Sequence, residues 1–321
     1  MMTMTFQFKQ VATLAPVAGW SIDMGRFLSP GKSSLLMTHP SKPEFFVGDY
    51  NAPNFPIVSR GSMGDWRGEL FAGNFATPDT DDLVGYRPTD GTLWMFRNTP
   101  TGFQPKVAAG QVSPASGWQF MVGDFSGKGR NQLLGYHPSN GSLWLGTYGP
   151  TGQFSFSQVG TVSPTTGWHF VAGDLTGTAA AEVFGYSSSN RSVWMGKLVA
   201  GQLAFTQWHT FPGPGQWQLL SHQRWHKIAP TPPTRAGLVA YHRATGDLYT
   251  HDGSALPNFT KRGTVTPADG WQFQCAPLDN NTTLDLAGYH PSNGTVWLGF
   301  QLDPPPPTAP PGKGGKGDDW K

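Results

Sequence analysis

Four histidines, His39, His137, His242 and His290, each end a short apolar run and precede a turn, as in LLGYHPSNG and LAGYHPSNG. Arg87 and Ser187 stand at the equivalent places of two further copies. Beyond each lies an aromatic: Phe46, Trp94, Trp144, Trp194, Tyr249 and Trp297. Asp90, Asn140, Asn190 and Asn293 occupy the turns between. An imidazole can hold a metal, move a proton or contact a polar ligand. A shared metal fails on distance, because neighbouring copies would lie about 10 Å apart while zinc–nitrogen bonds are about 2 Å. A polar contact remains. Planar side chains that fix hydroxyl groups, beside an aromatic face that packs on C–H groups, suit a carbohydrate. His137, Asn140, Trp144, His290, Asn293, Trp297, His242, Arg87, Asp90 and Trp94 are therefore the candidate ligand-binding residues. The same residues have structural readings: a histidine bonded to its own hairpin, an Asn–Gly turn that needs no ligand, a core aromatic.

Positioning these groups requires a repeating scaffold, and the chain has one. LLGYHPSNGSLWLG at 133–146 returns as LAGYHPSNGTVWLG at 286–299, three periods of about 51 residues later. A Trp before a short apolar alternation marks six units, at Trp20, Trp66, Trp118, Trp168, Trp217 and Trp271. Each unit holds four strand-like runs; in the third they are GWQFMVGDF, QLLGYH, SLWLG and FSFSQVG. Pro-Ser-Asn-Gly joins the second run to the third. Proline presets a type I turn, and glycine takes the left-handed position that closes a bulged hairpin.

Four antiparallel strands per unit of about 50 residues predict a β-propeller blade. A ring must close or leave an open strand edge. The sixth unit lacks a fourth strand, whereas MTFQFKQVATLAP at the amino end matches GQFSFSQVGTVSP. The expectation is an all-β, six-bladed propeller over residues 1–302, its last blade completed by residues 4–12. A Pro/Gly-rich tail, 303–321, reads as a tether without a core.

GDFSGKGRNQLLGYHPSNG at 123–141 and GDLTGTAAAEVFGY at 173–186 resemble the FG-GAP and VCBS repeats of integrin α heads and of related propeller lectins. The resemblance implies a propeller, and a calcium loop between first and second strands in those members that bind the ion. Such loops carry oxygen ligands at positions one, three, five and nine. Here the third copy offers Asp124, Ser126, Lys128 and Gln132, with an ammonium where the cation would sit. The fourth offers Asp174, Thr176, Thr178 and Glu182, and the second Asn74, Ala76, Pro78 and Asp82. The sixth loses position one and keeps Asp279, Asn281 and Asp285 as weak metal candidates. None is complete, so the expectation is no resident cofactor, with calcium the alternative and the sixth loop its best case; Asp124 and Asp174 read as turn caps.

Composition narrows the function classes. Aromatics are 13% of the chain, with 42 glycines and 29 prolines, a balance for strands and turns. A net charge of +2 gives no broad footprint for nucleic acid. One cysteine, Cys275, permits neither an intrachain disulfide nor a cysteine-cluster zinc site. No run of twenty apolar residues exists to span a bilayer as a helix. The opening MMTMTFQFKQ lacks a secretory signal pattern, which fits a cytoplasmic protein, export by another route or a removed leader.

Gly-Xaa-Ser-Xaa-Gly, P-loop and His-Glu-Xaa-Xaa-His motifs are all missing. The fifth unit alone carries a long loop, with His222, Arg224, Trp225 and His226. Alternating strands put the second-to-third hairpins and the fourth-to-first connections on one side of the disc. The leading expectation is a non-enzymatic, multivalent carbohydrate-binding lectin with pockets repeated around that side. A protein-binding adhesion head or targeting domain using the long loop is the alternative, and an enzyme around the central channel comes third.

Overall fold

The computed structural model describes residues 6–15, 19–30, 32–51, 53–114, 117–164, 167–213, 216–221, 237–251, 258–266, 270–278 and 284–301. Its described residues form strands and turns with no α-helix, and so no helix long and apolar enough to cross a membrane.

Six four-stranded antiparallel sheets follow one another around a ring. The first blade is β2 (Ser21–Gly25), β3 (Ser34–His39), β4 (Lys42–Gly48) and β5 (Ile57–Ser62). The second is β6 (Glu69–Gly73), β7 (Asp82–Arg87), β8 (Thr92–Phe96) and β11 (Val107–Gln111), with a hairpin of β9 (Asn98–Thr99) and β10 (Gly102–Phe103) inserted. The third is β12 (Gln119–Gly123), β13 (Gln132–His137), β14 (Ser142–Tyr148) and β15 (Phe154–Thr161). The fourth is β16 (Trp168–Gly173), β17 (Glu182–Ser187), β18 (Ser192–Val199) and β19 (Gln202–Thr210). The fifth is β20 (Trp217–Ser221), β21 (Leu238–His242), β22 (Asp247–His251) and β23 (Phe259–Thr264). The sixth takes β24 (Gln272–Ala276), β25 (Asp285–His290) and β26 (Thr295–Gln301) from the end of the described chain, and β1 (Phe6–Thr13) from its start.

The innermost strands β2, β6, β12, β16, β20 and β24 neighbour one another in that order, and β24 returns to β2. Closure is by β1, which pairs antiparallel with β26 from Phe6 opposite Gln301 to Thr13 opposite Thr295. The strand at the amino end therefore covers an edge that would otherwise be open.

Apolar burial is divided among the seams. Six buried clusters each join two adjacent blades, the last combining Leu278, Tyr289 and Leu298 of the sixth with Trp20, Leu35 and Met37 of the first. The GYH run shows how one strand serves three surfaces. Tyr136 is buried and packs its ring 4.9 Å from Phe170 of the next blade. Gly135 faces the other way, where an added Cβ would lie 2.7 Å from Phe120 and 2.9 Å from Trp118. The missing side chain lets those rings lie flat on the strand, and His137 then emerges at the rim.

Polar stitches tie the blades where apolar area ends. Gln272 and Gln274 donate to the carbonyls of Trp20 and Ile22 at 3.0 and 3.3 Å. Asn74 and Asn131 exchange amide bonds, each backbone N–H donating to the other's side-chain oxygen at 2.8 Å. Arg26 and Asp81 form an ion pair at 2.8 Å with side chains only 3% and 4% exposed. The Arg26 N–H donates to the Asp81 carboxylate and the Asp81 N–H to the Arg26 carbonyl, which completes that latch between the first and second blades. Such a pair adds geometry more than net stability, but breaking it is costly.

Candidate functional site

The hairpin joining second to third strands is built as its sequence predicts. Gly141 has φ of 74°, and its N–H donates to the carbonyl of His137 at 2.8 Å. Its own carbonyl accepts from Val162, past the fourth strand, at 2.8 Å. An added Cβ would fall 1.8 Å from the Val162 oxygen. The tight approach pins the hairpin to the fourth-to-first connection, so both loops lie on one side of the disc. In the fourth blade Arg191 holds the same place at φ of 62°.

From this turn a chain of hydrogen bonds orients the aromatic. Asn140 accepts from Ser142 through its N–H at 2.9 Å and its hydroxyl at 2.7 Å. Ser142 in turn accepts from Trp144 Nε1 at 2.9 Å. The relay recurs in Asn190–Ser192–Trp194, Asn293–Thr295–Trp297 and Asp90–Thr92–Trp94. The Asn and Asp acceptor oxygens are thus committed to the turn, which leaves the Asn amide N–H groups as their polar offer. All six third-strand aromatics (Phe46, Trp94, Trp144, Trp194, Tyr249 and Trp297) are half-buried, each packing one part of the ring and presenting the rest.

The histidines border these rings. His137 is half-buried, its ring edge-on to Trp118 at 4.7 Å, and Nδ1 shares a hydrogen bond with Ser139 Oγ at 3.0 Å. His290 repeats this with Trp271 at 4.6 Å and Ser292 at 2.7 Å, and His242 with Trp217 at 4.6 Å and Thr245 at 2.8 Å. In each of these three the turn's hydroxyl is a partner of the ring. His39, which is buried, also meets a backbone group, accepting from the Ser41 N–H at 3.1 Å.

The second blade departs from the pattern. Glu69 opposes Tyr86 as Gln119 opposes Tyr136, so the place of Trp118 belongs to Gly68. Trp66 lies two residues earlier and swings back over Gly68 and Gly85, presenting its Cζ2 edge where Trp118 presents Cε3. Its Nε1 is buried without a hydrogen-bond partner, while Trp118, Trp168 and Trp271 donate to loop carbonyls. Spacing alone hides this shift, although the short 46-residue step from Trp20 to Trp66 carries its trace.

On the opposite side the calcium-like loops are held by their own acids. Asp124 accepts from Ser126 Oγ, Lys128 N and Gly129 N. Asp174 accepts from Thr178 N and Ala179 N, and Glu182 from Leu175 N and Thr176 N. Asp82 accepts from Ala76, Thr77 and Asn98, and burial raises its pKa despite those donors. Carboxylates so committed to loop amides, with the exposed Lys128 adding positive charge to one loop, do not fit a divalent cation. Asp285 accepts from Leu278 N, whereas Asp279 and Asn281 lie outside the described residues, as does the 222–236 segment with His222, Arg224, Trp225 and His226. Among the described residues no three His, Cys, Asp or Glu side chains converge as a metal site.

Through the disc runs a channel of about 750 Å³. Its ionisable lining is divided across the ring: Asp23 and Glu69 come from the first two blades, His169 and Arg243 from the fourth and fifth. Burial pushes Asp23 up to about 7, opposed by its bonds from Met24 N and Ala72 N and reinforced by the charge of Asp81. Burial also raises Glu69, and burial with the Arg243 guanidinium lowers His169. Cys275 lines the wall with its thiol pushed up by burial, away from the thiolate a nucleophile needs.

No protein-family model matches the chain, and no curated protein matches it by sequence. Solved structures are similar in fold. A mutant of AofleA from Arthrobotrys oligospora, with three arginines replaced by alanine, superposes with a TM-score of 0.59 at 14% identity, over 94% of this chain and 87% of that one. The Photorhabdus luminescens Tc holotoxin pore gives 0.56 at 14% identity, over 92% of this chain, which spans only 14% of the pore chain. An auxiliary nutrient binding protein from Bacteroides ovatus gives 0.54 at 10% identity, over 94% of this chain and 78% of that one. At these identities the likeness establishes the propeller fold.

Proposed function

We propose that this propeller is a non-enzymatic, multivalent carbohydrate-binding module of the FG-GAP/VCBS-like type. The observation that carries the reading is the repeated rim: in all six blades a third-strand aromatic is half-exposed beside the hairpin. In five of them a His or Arg ends the neighbouring second strand: His39, Arg87, His137, His242 and His290. A ring fixed by a Trp–Ser–Asn relay is a preorganised stacking platform, so binding costs little side-chain entropy. The neighbouring imidazole supplies a directional polar contact to a hydroxyl. Four such platforms, with the partly exposed Phe46 and Tyr249 of the other two blades, raise avidity for clustered glycans on one rigid disc without strong single sites. The nutrient binding protein of similar fold is consistent with a binding role.

The test is a glycan array followed by titration calorimetry on any hit. Several equivalents of free sugar per chain are expected. His137→Ala and His290→Ala should each remove one equivalent and leave the unfolding transition nearly unchanged. Silence across sugars, or a single protein partner bound at one equivalent, would overturn the reading.

A further inference from the structure

The second blade's rim differs from the other five in several residues at once, and they differ in one chemical direction. Arg87 replaces histidine, and its guanidinium carbon lies 5.9 Å from the Trp66 ring centroid and 5.6 Å from that of Trp94. Lys106 comes from just before β11, and its Nζ lies 6.0 and 5.4 Å from the same two centroids. Two cations therefore converge on one pair of rings. Ala108 stands opposite Trp94 in register, where Gln158, Gln207 and Gln10 stand opposite Trp144, Trp194 and Trp297. The long amide that flanks the ring in the third, fourth and sixth blades is replaced by a methyl group beside Trp94. The Trp66 Nε1 is buried here without a partner.

Two acids face this pair. Asp65 bonds to Lys106, but its side chain is 89% exposed while that of Lys106 is 19% exposed. Asp90 lies 3.5 Å from Arg87, and its other oxygen holds the Thr92 turn. A pair with one partner in water contributes little and is readily exchanged. A ligand anion seated against the rings would meet Lys106 and Arg87 in a less watery setting than Asp65 does.

On the carbohydrate reading above, we infer that the second blade holds a subsite for an acidic saccharide, with a carboxylate or sulfate between Arg87 and Lys106 and the sugar ring against Trp94. Guanidinium and ammonium supply charge-assisted bonds that the histidine rims do not. The other blades take uncharged sugar faces, so the chain reads mixed glycans with one charged contact per disc.

Calorimetry on the full chain separates the cases, using methyl glucuronide, galactose 6-sulfate, their uncharged parents and inorganic sulfate. One equivalent of acidic sugar is expected, bound at least tenfold tighter than its parent and weakened several-fold between 50 and 500 mM NaCl in line with screening. Arg87→Gln and Lys106→Met should each lower that affinity about tenfold while neutral-sugar equivalents at the other blades persist. Both positions are partly exposed; if Arg87→Gln lost its fold, Lys106→Met would carry the test. Equal affinity for acidic and neutral sugars, insensitivity to both substitutions, or inorganic sulfate binding as tightly as the sugars would overturn the subsite. Loss of every sugar signal in the unsubstituted chain would instead overturn the carbohydrate reading itself.

Discussion

Replacing Asp23 by Asn should stabilise the ring at neutral and alkaline pH and do little in acid. Asp23 lines the channel with its carboxyl wedged between the first two blades, accepting from Met24 N at 2.8 Å and Ala72 N at 3.2 Å. Burial raises its pKa from 3.8 to about 7, the Asp81 charge adding to the effect. A raised acid is one that the folded state prefers to keep protonated. Its contribution is therefore neutral below about pH 4, falls as pH rises from 4 to 7, and levels off above 7. At about 1.4 kcal/mol per unit the full penalty is about 4 kcal/mol. Channel water reaches part of the residue, so about 3 kcal/mol is the realistic gain at pH 8. Asparagine mimics the protonated acid and can still accept one of the two amides. Urea unfolding followed by tryptophan fluorescence, run from pH 4 to 8 on both proteins, measures the difference directly. The curves should meet within about 1 kcal/mol near pH 4 and diverge to about 3 by pH 8. Parallel curves across that range would refute the reasoning.

Removing one partner of the buried Arg26–Asp81 latch with Asp81→Ala should cost about 3–5 kcal/mol in urea unfolding, because the buried guanidinium loses its carboxylate. Glycine substitutions separate strain from space. Gly129→Ala, at φ of 76° with nothing within 4 Å, should cost about 1 kcal/mol. Gly141→Ala at a similar φ should cost at least about 2 kcal/mol more, because its Cβ would meet the Val162 carbonyl. Equal losses for the two would show that the hairpin yields freely.

Much of the architecture was legible before any coordinates. The period, the four runs per unit, the turn glycines and the matching amino-terminal strand predict six blades closed by β1, and TVWLGFQ pairs with FQFKQVAT as its alternation requires. These are local signals, repeated six times, so errors at one copy are corrected by the others. The GY pair was present in the sequence but unread: Gly135 and Tyr136 serve opposite seams, and that division needs the neighbouring blade to be seen. Asp124 and Asp174 read as turn caps from the sequence, and their bonds to loop amides match that reading; that Asp82 and Glu182 do the same needed the folded loops.

The sequence by itself determined the repeat, the strand count, the hairpin chemistry and the closure, because each depends on residues a few positions apart or on simple matching. Tertiary structure decided which side chains meet. Trp66 and Trp118 look equivalent in the chain, yet a two-residue shift turns one indole around over Gly68 and Gly85. Arg87 and Lys106 are nineteen residues apart and converge only because β7 and β11 flank β8 in one sheet. The third-strand aromatics Phe46, Trp94, Trp144, Trp194 and Tyr249, which the sequence leaves open between core and rim, pack partly on the seam clusters and stay partly exposed. Burial and convergence are properties of packed neighbours, and no one strand encodes its neighbours.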